Sequence, residues 1–301
     1  MTHYQLVASN KRRSFLVMLG FIVFVTVVSY IIAIGFDYPL SMVGLALIFS
    51  GITSFFSYFF SDKIVLAISR AKPANRKEHF DFYTVTENIV NGQGLPMPKL
   101  YVIDDSAMNA FATGRNPKNG VICATTGLLT RLNRSEIEGV IAHEIGHIKN
   151  YDILLMSIVS ILVGFIALLG DWVLRTSMFG KRRDDRDRGQ LDVIFFFLAI
   201  LMAILAPIIS QLIKLAISRR YEFLADANAA AMTKNPEGLA RALIKISQDH
   251  EPLEAANKAT AHMYIADPLK NTKGSVANFK KLFQTHPPVA ERVAALRAIA
   301  G

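Results

Sequence analysis

His143 and His147 stand four residues apart, with Glu144 directly after the first, in the stretch His143-Glu144-Ile145-Gly146-His147. On a helix of 3.6 residues per turn such positions lie about 40° apart on one face, so a single ion can meet both imidazoles. Glu144 then flanks the ion without binding it. This is the arrangement of a zinc site whose carboxylate takes a proton from water at the metal and makes a hydroxide nucleophile near neutral pH.

Such a site needs a further ligand. Downstream, Arg219-Arg220-Tyr221-Glu222-Phe223-Leu224-Ala225-Asp226 opens an Ala-rich, proline-free stretch that reads as helix. Glu222 and Asp226 are four apart and share a face, which gives one carboxylate for the metal and a second for a ligand histidine's outer ring N–H. Glu237, His262 and His286 stay open as alternatives, although none carries a paired carboxylate four residues on. The longer motif with a third histidine is absent, because Asn150 and Ile153 occupy the positions it requires.

The elements that must position these groups can be read around them. Ser135 with Glu138 forms a capping-box pattern, and Ile137, Val140, Ile141, Ile145 and Ile148 recur at helical spacing, so the metal face points inward. Ahead of that helix, residues 78–90 look helical. Lys99 to Ile103, Asn109 to Gly114 and Gly120 to Thr125 read as strands, the last two joined by the turn-forming residues 115–119. A small sheet beside the metal helix is expected, and its edge can hold an extended peptide by backbone hydrogen bonds. Helices are expected at 237–249, at 252–264 and after Pro287-Pro288.

Composition sets the environment. Of 301 residues, 52% are hydrophobic, and the mean hydropathy of +0.33 is high for a soluble enzyme. The net charge of +9 is not accompanied by the interleaved aromatic and basic residues that nucleic-acid binders use. Cys123 is alone, which excludes an internal disulfide.

Residues 15–36 and 40–60 are uncharged runs long enough to cross a bilayer and form a hairpin. The first is too long for a cleavable signal. Lys11, Arg12 and Arg13 precede the hairpin, and Lys63, Arg70, Lys72, Arg76 and Lys77 follow it, which places both flanks in the cytoplasm. Residues 153–170 and 193–213 form a second apolar pair around a basic loop at 175–190. A spanning pair would put that loop outside, against the positive-inside rule, so a re-entrant or protein-buried pair is the alternative. The expected division is a hairpin at 1–61, a catalytic part at 62–152, the second apolar pair at 153–217 and a helical part carrying the third ligand at 218–301.

The order of these features, with Ser106-Ala107-Met108-Asn109-Ala110-Phe111-Ala112-Thr113-Gly114, the HEIGH stretch, SRRYEFLAD and the final HPPVAERVAAL, resembles the HtpX-type membrane zinc metalloproteases, relatives of the CAAX prenyl proteases. The resemblance implies an integral membrane, mainly α protein with a small β-sheet, in which four apolar helices join a gluzincin-like metalloprotease domain. It implies one catalytic zinc ion bound by His143, His147 and Glu222, Glu144 as general base and Asp226 as the partner of a ligand. Asn109 would position substrate and His286 would stabilise the oxyanion. It also implies a bacterial inner-membrane endopeptidase in membrane-protein quality control, with membrane-protein or peptide substrates, the lipid bilayer and no nucleic acid as partners. A prenyl-protein protease is the alternative within the class. A transporter or channel is disfavoured by the uncharged cores of all four apolar segments. A structural-zinc scaffold is disfavoured by a three-ligand site with an intact Glu144.

Overall fold

The computed structural model describes residues 3–35, 39–162, 164, 219–254, 256, 260, 263–266 and 287–300. Helices α1 (His3–Gly35) and α2 (Ser41–Ile68) pack against one another. Their outer faces expose Phe15, Leu19, Val23 and Val27 on α1 and Ile48, Phe49, Ile52 and Phe55 on α2. So much contiguous apolar surface is unstable in water. Among the described residues α2 is the one unbroken helix that meets the length and apolarity needed to cross a membrane, and only 17% of its most apolar window is buried. The predicted four apolar helices are therefore not confirmed. Of the second pair, only the start of residues 153–170 is described, within α6 (Asp152–Leu162), and the 175–190 loop and residues 193–213 lie outside the described residues.

Strands β1 (Lys72–Pro73), β2 (Lys99–Ile103), β3 (Ala110–Thr113) and β4 (Val121–Thr125) form one mixed sheet in the order β1-β2-β4-β3. β2 and β4 run parallel with Leu100 opposite Ile122, while β3 pairs antiparallel to β4 with Phe111 opposite Cys123. Side chains alternate across a strand, so the sheet serves two cores. Leu100, Val102, Ala110, Ala112, Ile122 and Ala124 join a core with α3 (Phe80–Gln93) and α5 (Arg134–Asn150). Ile103, Phe111, Val121 and Cys123 join a second core with Val17 and Phe21 of α1, Val65 and Leu66 of α2, and α6. The sheet thus ties the metal helix to the apolar hairpin.

Among the described residues, α4 (Thr126–Arg131), α7 (Arg219–Thr233), α8 (Pro236–Gln248) and α9 (Val289–Ala300) also join the first core. The capping box of α5 differs from the predicted one. It is formed by Asn133 and Glu136, whose side chains each accept from the other's backbone N–H. Ser135 instead accepts from Asn235 Nδ2 at 2.8 Å, at the start of α8. Of the helix expected at 252–264, residues 255, 257–259, 261 and 262 lie outside the described residues, and the described ones are not α-helical. Leu253 is buried outside any helix, and Tyr264 packs edge-on against Phe111 at 5.0 Å between centroids.

α5 and α8 cross at Gly139, where an added Cβ would lie 2.5 Å from the Leu239 nitrogen and 2.6 Å from its Cα. Gly139→Ala is expected to force these helices apart and cost about 1–3 kcal/mol. Gly92→Ala, with open space around the Cβ position, is expected to be neutral or stabilising. Thermal unfolding of both variants checks the contrast.

Candidate metal centre

His143 and His147 lie on the buried face of α5, and α7 packs along that face. This brings Glu222, from the first turn of α7, to the two imidazoles. One ligand atom from each residue falls within 4.8 Å of the others. His143 Nε2 and His147 Nε2 are 3.1 Å apart, and the Glu222 carboxylate oxygens lie 3.8 Å and 3.6 Å from them. Two nitrogens on a tetrahedral zinc at ordinary bond length sit about 3.3 Å apart, so the donor pair fits that ion.

The outer ring nitrogens are held as well. His143 Nδ1 meets Asp226 Oδ1 at 2.9 Å, and His147 Nδ1 meets Asp152 Oδ2 at 2.8 Å. Each contact aims its Nε2 at the shared point and makes the imidazole a better donor. Asp226 was expected from its spacing to Glu222, whereas Asp152 was not foreseen. It opens α6, which leaves α5 at an angle of 88° after Tyr151 adopts left-handed backbone with φ 64°. Arg292, also unforeseen, donates to both oxygens of Asp226, at 2.8 Å from Nε and 2.7 Å from Nη2, and its Nη1 lies 3.3 Å from Glu222. Arg292 is 1% exposed. Its sequence signal is an arginine on the otherwise apolar face formed by Val289, Val293 and Leu296.

Glu144 is buried beside the histidines and accepts a hydrogen bond from the Ala112 backbone of β3. Burial pushes its carboxyl up to about 7, with the Glu222 charge adding to the rise and the His147 charge opposing it. Burial likewise drives His143 down to about 4, which favours the neutral ring a metal needs. Burial also pushes His147 down, but the charge and hydrogen bond of Asp152 outweigh it and carry His147 up to about 9.

The other expected residues fall elsewhere. Glu237 is at the surface, where both its oxygens accept from Arg297. Asn109 is buried at the head of β3, and its Nδ2 donates to the Ala266 carbonyl at 3.1 Å. Next to it, Ile265 N–H donates to the Ala110 carbonyl at 3.0 Å. His262 and His286 lie outside the described residues.

Residues 77–300 match the profile of Peptidase family M48, and the chain belongs to that family. It is a zinc metallopeptidase, with the clustered imidazoles and carboxylate as the place for one ion. Among its curated relatives is the Protease HtpX homolog of Dictyoglomus thermophilum, 40% identical over 296 residues, covering 98% of this chain and 94% of the relative. The Protease HtpX homolog of Thermoanaerobacter pseudethanolicus is 39% identical over 302 residues, covering 99% and 98% respectively. Among solved structures, S. mikatae Ste24p shares the fold with a TM-score of 0.50 and 20% identity, over 97% of this chain and 67% of that one.

Proposed function

We propose that the chain is a membrane-anchored endopeptidase that cuts cytoplasmic segments of misfolded or damaged membrane proteins. The observation that carries this reading is the convergence of His143, His147 and Glu222 on one point beside a buried Glu144, with the outer ring nitrogens held by carboxylates. His143, His147 and Glu222 hold the ion, and Asp226 and Asp152 fix the two rings. When bound, zinc supplies Lewis-acid polarisation of a scissile carbonyl and acidifies a water. Glu144 would take a proton from the attacking water as its oxygen adds to the carbonyl carbon, and would return that proton to the amine nitrogen as the C–N bond breaks. The family resemblance assigns substrate positioning to Asn109 and oxyanion stabilisation to His286.

The exposed apolar faces of α1 and α2 and the basic residues bracketing them support a hairpin in the bacterial inner membrane. Both termini and the catalytic part, residues 62–152 and 218–301, then face the cytoplasm. The sheet's second core includes α1 and α2, so the site sits close to the bilayer and to membrane-bound substrates. A membrane-tethered reporter with an unstructured cytoplasmic segment tests the proposal. Cleavage is expected in the wild type, loss of at least a hundredfold after chelation, and recovery on adding zinc. Cleavage that persists in chelator would overturn it.

A further inference from the structure

The polar end of α1 touches the metal centre's supports at both ends. Asn10 is fully buried, and its Nδ2 donates to the Asn150 carbonyl at 3.0 Å. Asn150 is the last residue of α5, so this bond satisfies one of the carbonyls that a helix end leaves without an internal partner. One residue on, Lys11 lies 4.6 Å over the Tyr151 ring, at the left-handed corner between α5 and α6. That corner fixes where Asp152 meets His147. From the next part of the α1 turn, Arg13 Nη1 donates to the Tyr221 hydroxyl at 2.8 Å. Tyr221 directly precedes Glu222, and its phenol feels the charges of both Arg13 and Asp152.

We infer that Asn10 and Arg13 are positioning residues for the metal: the α1 end clamps the Asn150–Asp152 corner and the start of α7, and so sets His147 and Glu222 relative to each other. Packing alone would place apolar residues here. A buried asparagine and a guanidinium bonded to a phenol are directional instead, and they join segments 140 and 208 residues apart. Both positions precede residues 77–300, the part that matches the peptidase family profile. Insertion of the hairpin and completion of the zinc site are thereby coupled, and an incorrectly seated α1 leaves a loosened site.

The test uses full-length, detergent-solubilised protein. Zinc affinity is measured by competition with a chromophoric chelator, and kcat and KM by reporter cleavage; only the kinetic arm rests on the peptidase reading. Arg13→Ala and Tyr221→Phe are each expected to weaken zinc binding about tenfold. The double variant should be no weaker than either single one, since both break the same bond. Asn10→Ala should act similarly, with kcat falling more than KM rises. Arg13→Lys restores part of the affinity.

Arg12→Ala is the control, removing the same charge from the same helix end at an exposed position. Unchanged zinc affinity in Arg13→Ala and Tyr221→Phe would overturn the inference, as would an equal loss in Arg12→Ala. If Arg13→Ala fails to fold, Tyr221→Phe keeps the ring and decides the matter. A wild type that binds zinc without cleaving defeats the peptidase reading, whereas the affinity comparison still decides this one.

Discussion

Glutamine in place of Glu144 is expected to lower kcat by about 10²–10⁴-fold while zinc stays bound, because the amide keeps the shape and hydrogen bonding of the side chain but cannot take a proton. The site's geometry separates these two effects. The cluster that could hold the ion consists of His143, His147 and Glu222, so substitution of Glu144 leaves that donor set whole. The pH profile gives a second signature. In the metal-free chain burial raises Glu144 to about 7, and a bound cation beside it favours the carboxylate and moves the value back down. The base works ionised, so wild-type kcat is expected to fall with acidity on the acid side of pH 7. Residual cleavage by Glu144→Gln should lack that limb. Metal analysis of the purified variant with a pH series of reporter cleavage checks all three statements, and full activity in the variant would remove Glu144 from the mechanism.

The site was legible where its chemistry is local. His143 and His147 declare themselves by i, i+4 spacing, and Glu222 with Asp226 by the same spacing on a second helix. Strand β2 was predicted with its observed limits, because Lys99 to Ile103 is bounded by prolines and by aspartates. What escaped depends on chain direction between elements. Asp152 reaches His147 only because the chain turns sharply at Tyr151, and a left-handed tyrosine leaves no signature in a sequence read for glycine and asparagine. Arg292 lies 66 residues from Asp226, and its partner could not be read from either helix alone. The capping box of α5 was misplaced because two such patterns overlap, and the competing serine is used by α8. Arg13 reads in the sequence only as one of the charges flanking the hairpin, and nothing in the local pattern around it or Asn10 points to partners 208 and 140 residues away.

Arg292→Ala is expected to destabilise the chelated protein by about 3–5 kcal/mol, the usual cost of breaking a buried ion pair from one side. Asp226 and Glu222 are each 2% exposed and both lie against the guanidinium, so its loss leaves two carboxylates buried with less compensation. Burial alone would raise Asp226, but the guanidinium's hydrogen bonds and charge hold it below the ordinary carboxylate value. That lowered value stabilises the fold above the unfolded carboxyl's pKa, and the contribution is lost as pH falls through the folded one. In Arg292→Ala this part of the acid sensitivity disappears together with the stability it provided.

Zinc changes the balance, because a divalent cation beside Glu222 replaces part of the missing positive charge. The loss in the zinc-loaded protein is therefore expected to be smaller than in chelator, although the pairing with Asp226 stays broken. Arg292→Lys should recover little, since an ammonium cannot donate to both Asp226 oxygens with the planar fork that Nε and Nη2 provide. Thermal unfolding of wild type and both variants, with chelator and with zinc, checks this. An Arg292→Ala drop that is no larger in chelator than in zinc would separate the arginine from the metal site electrostatically. A drop that zinc relieves would mean that the guanidinium holds the two carboxylates in place while the metal is absent.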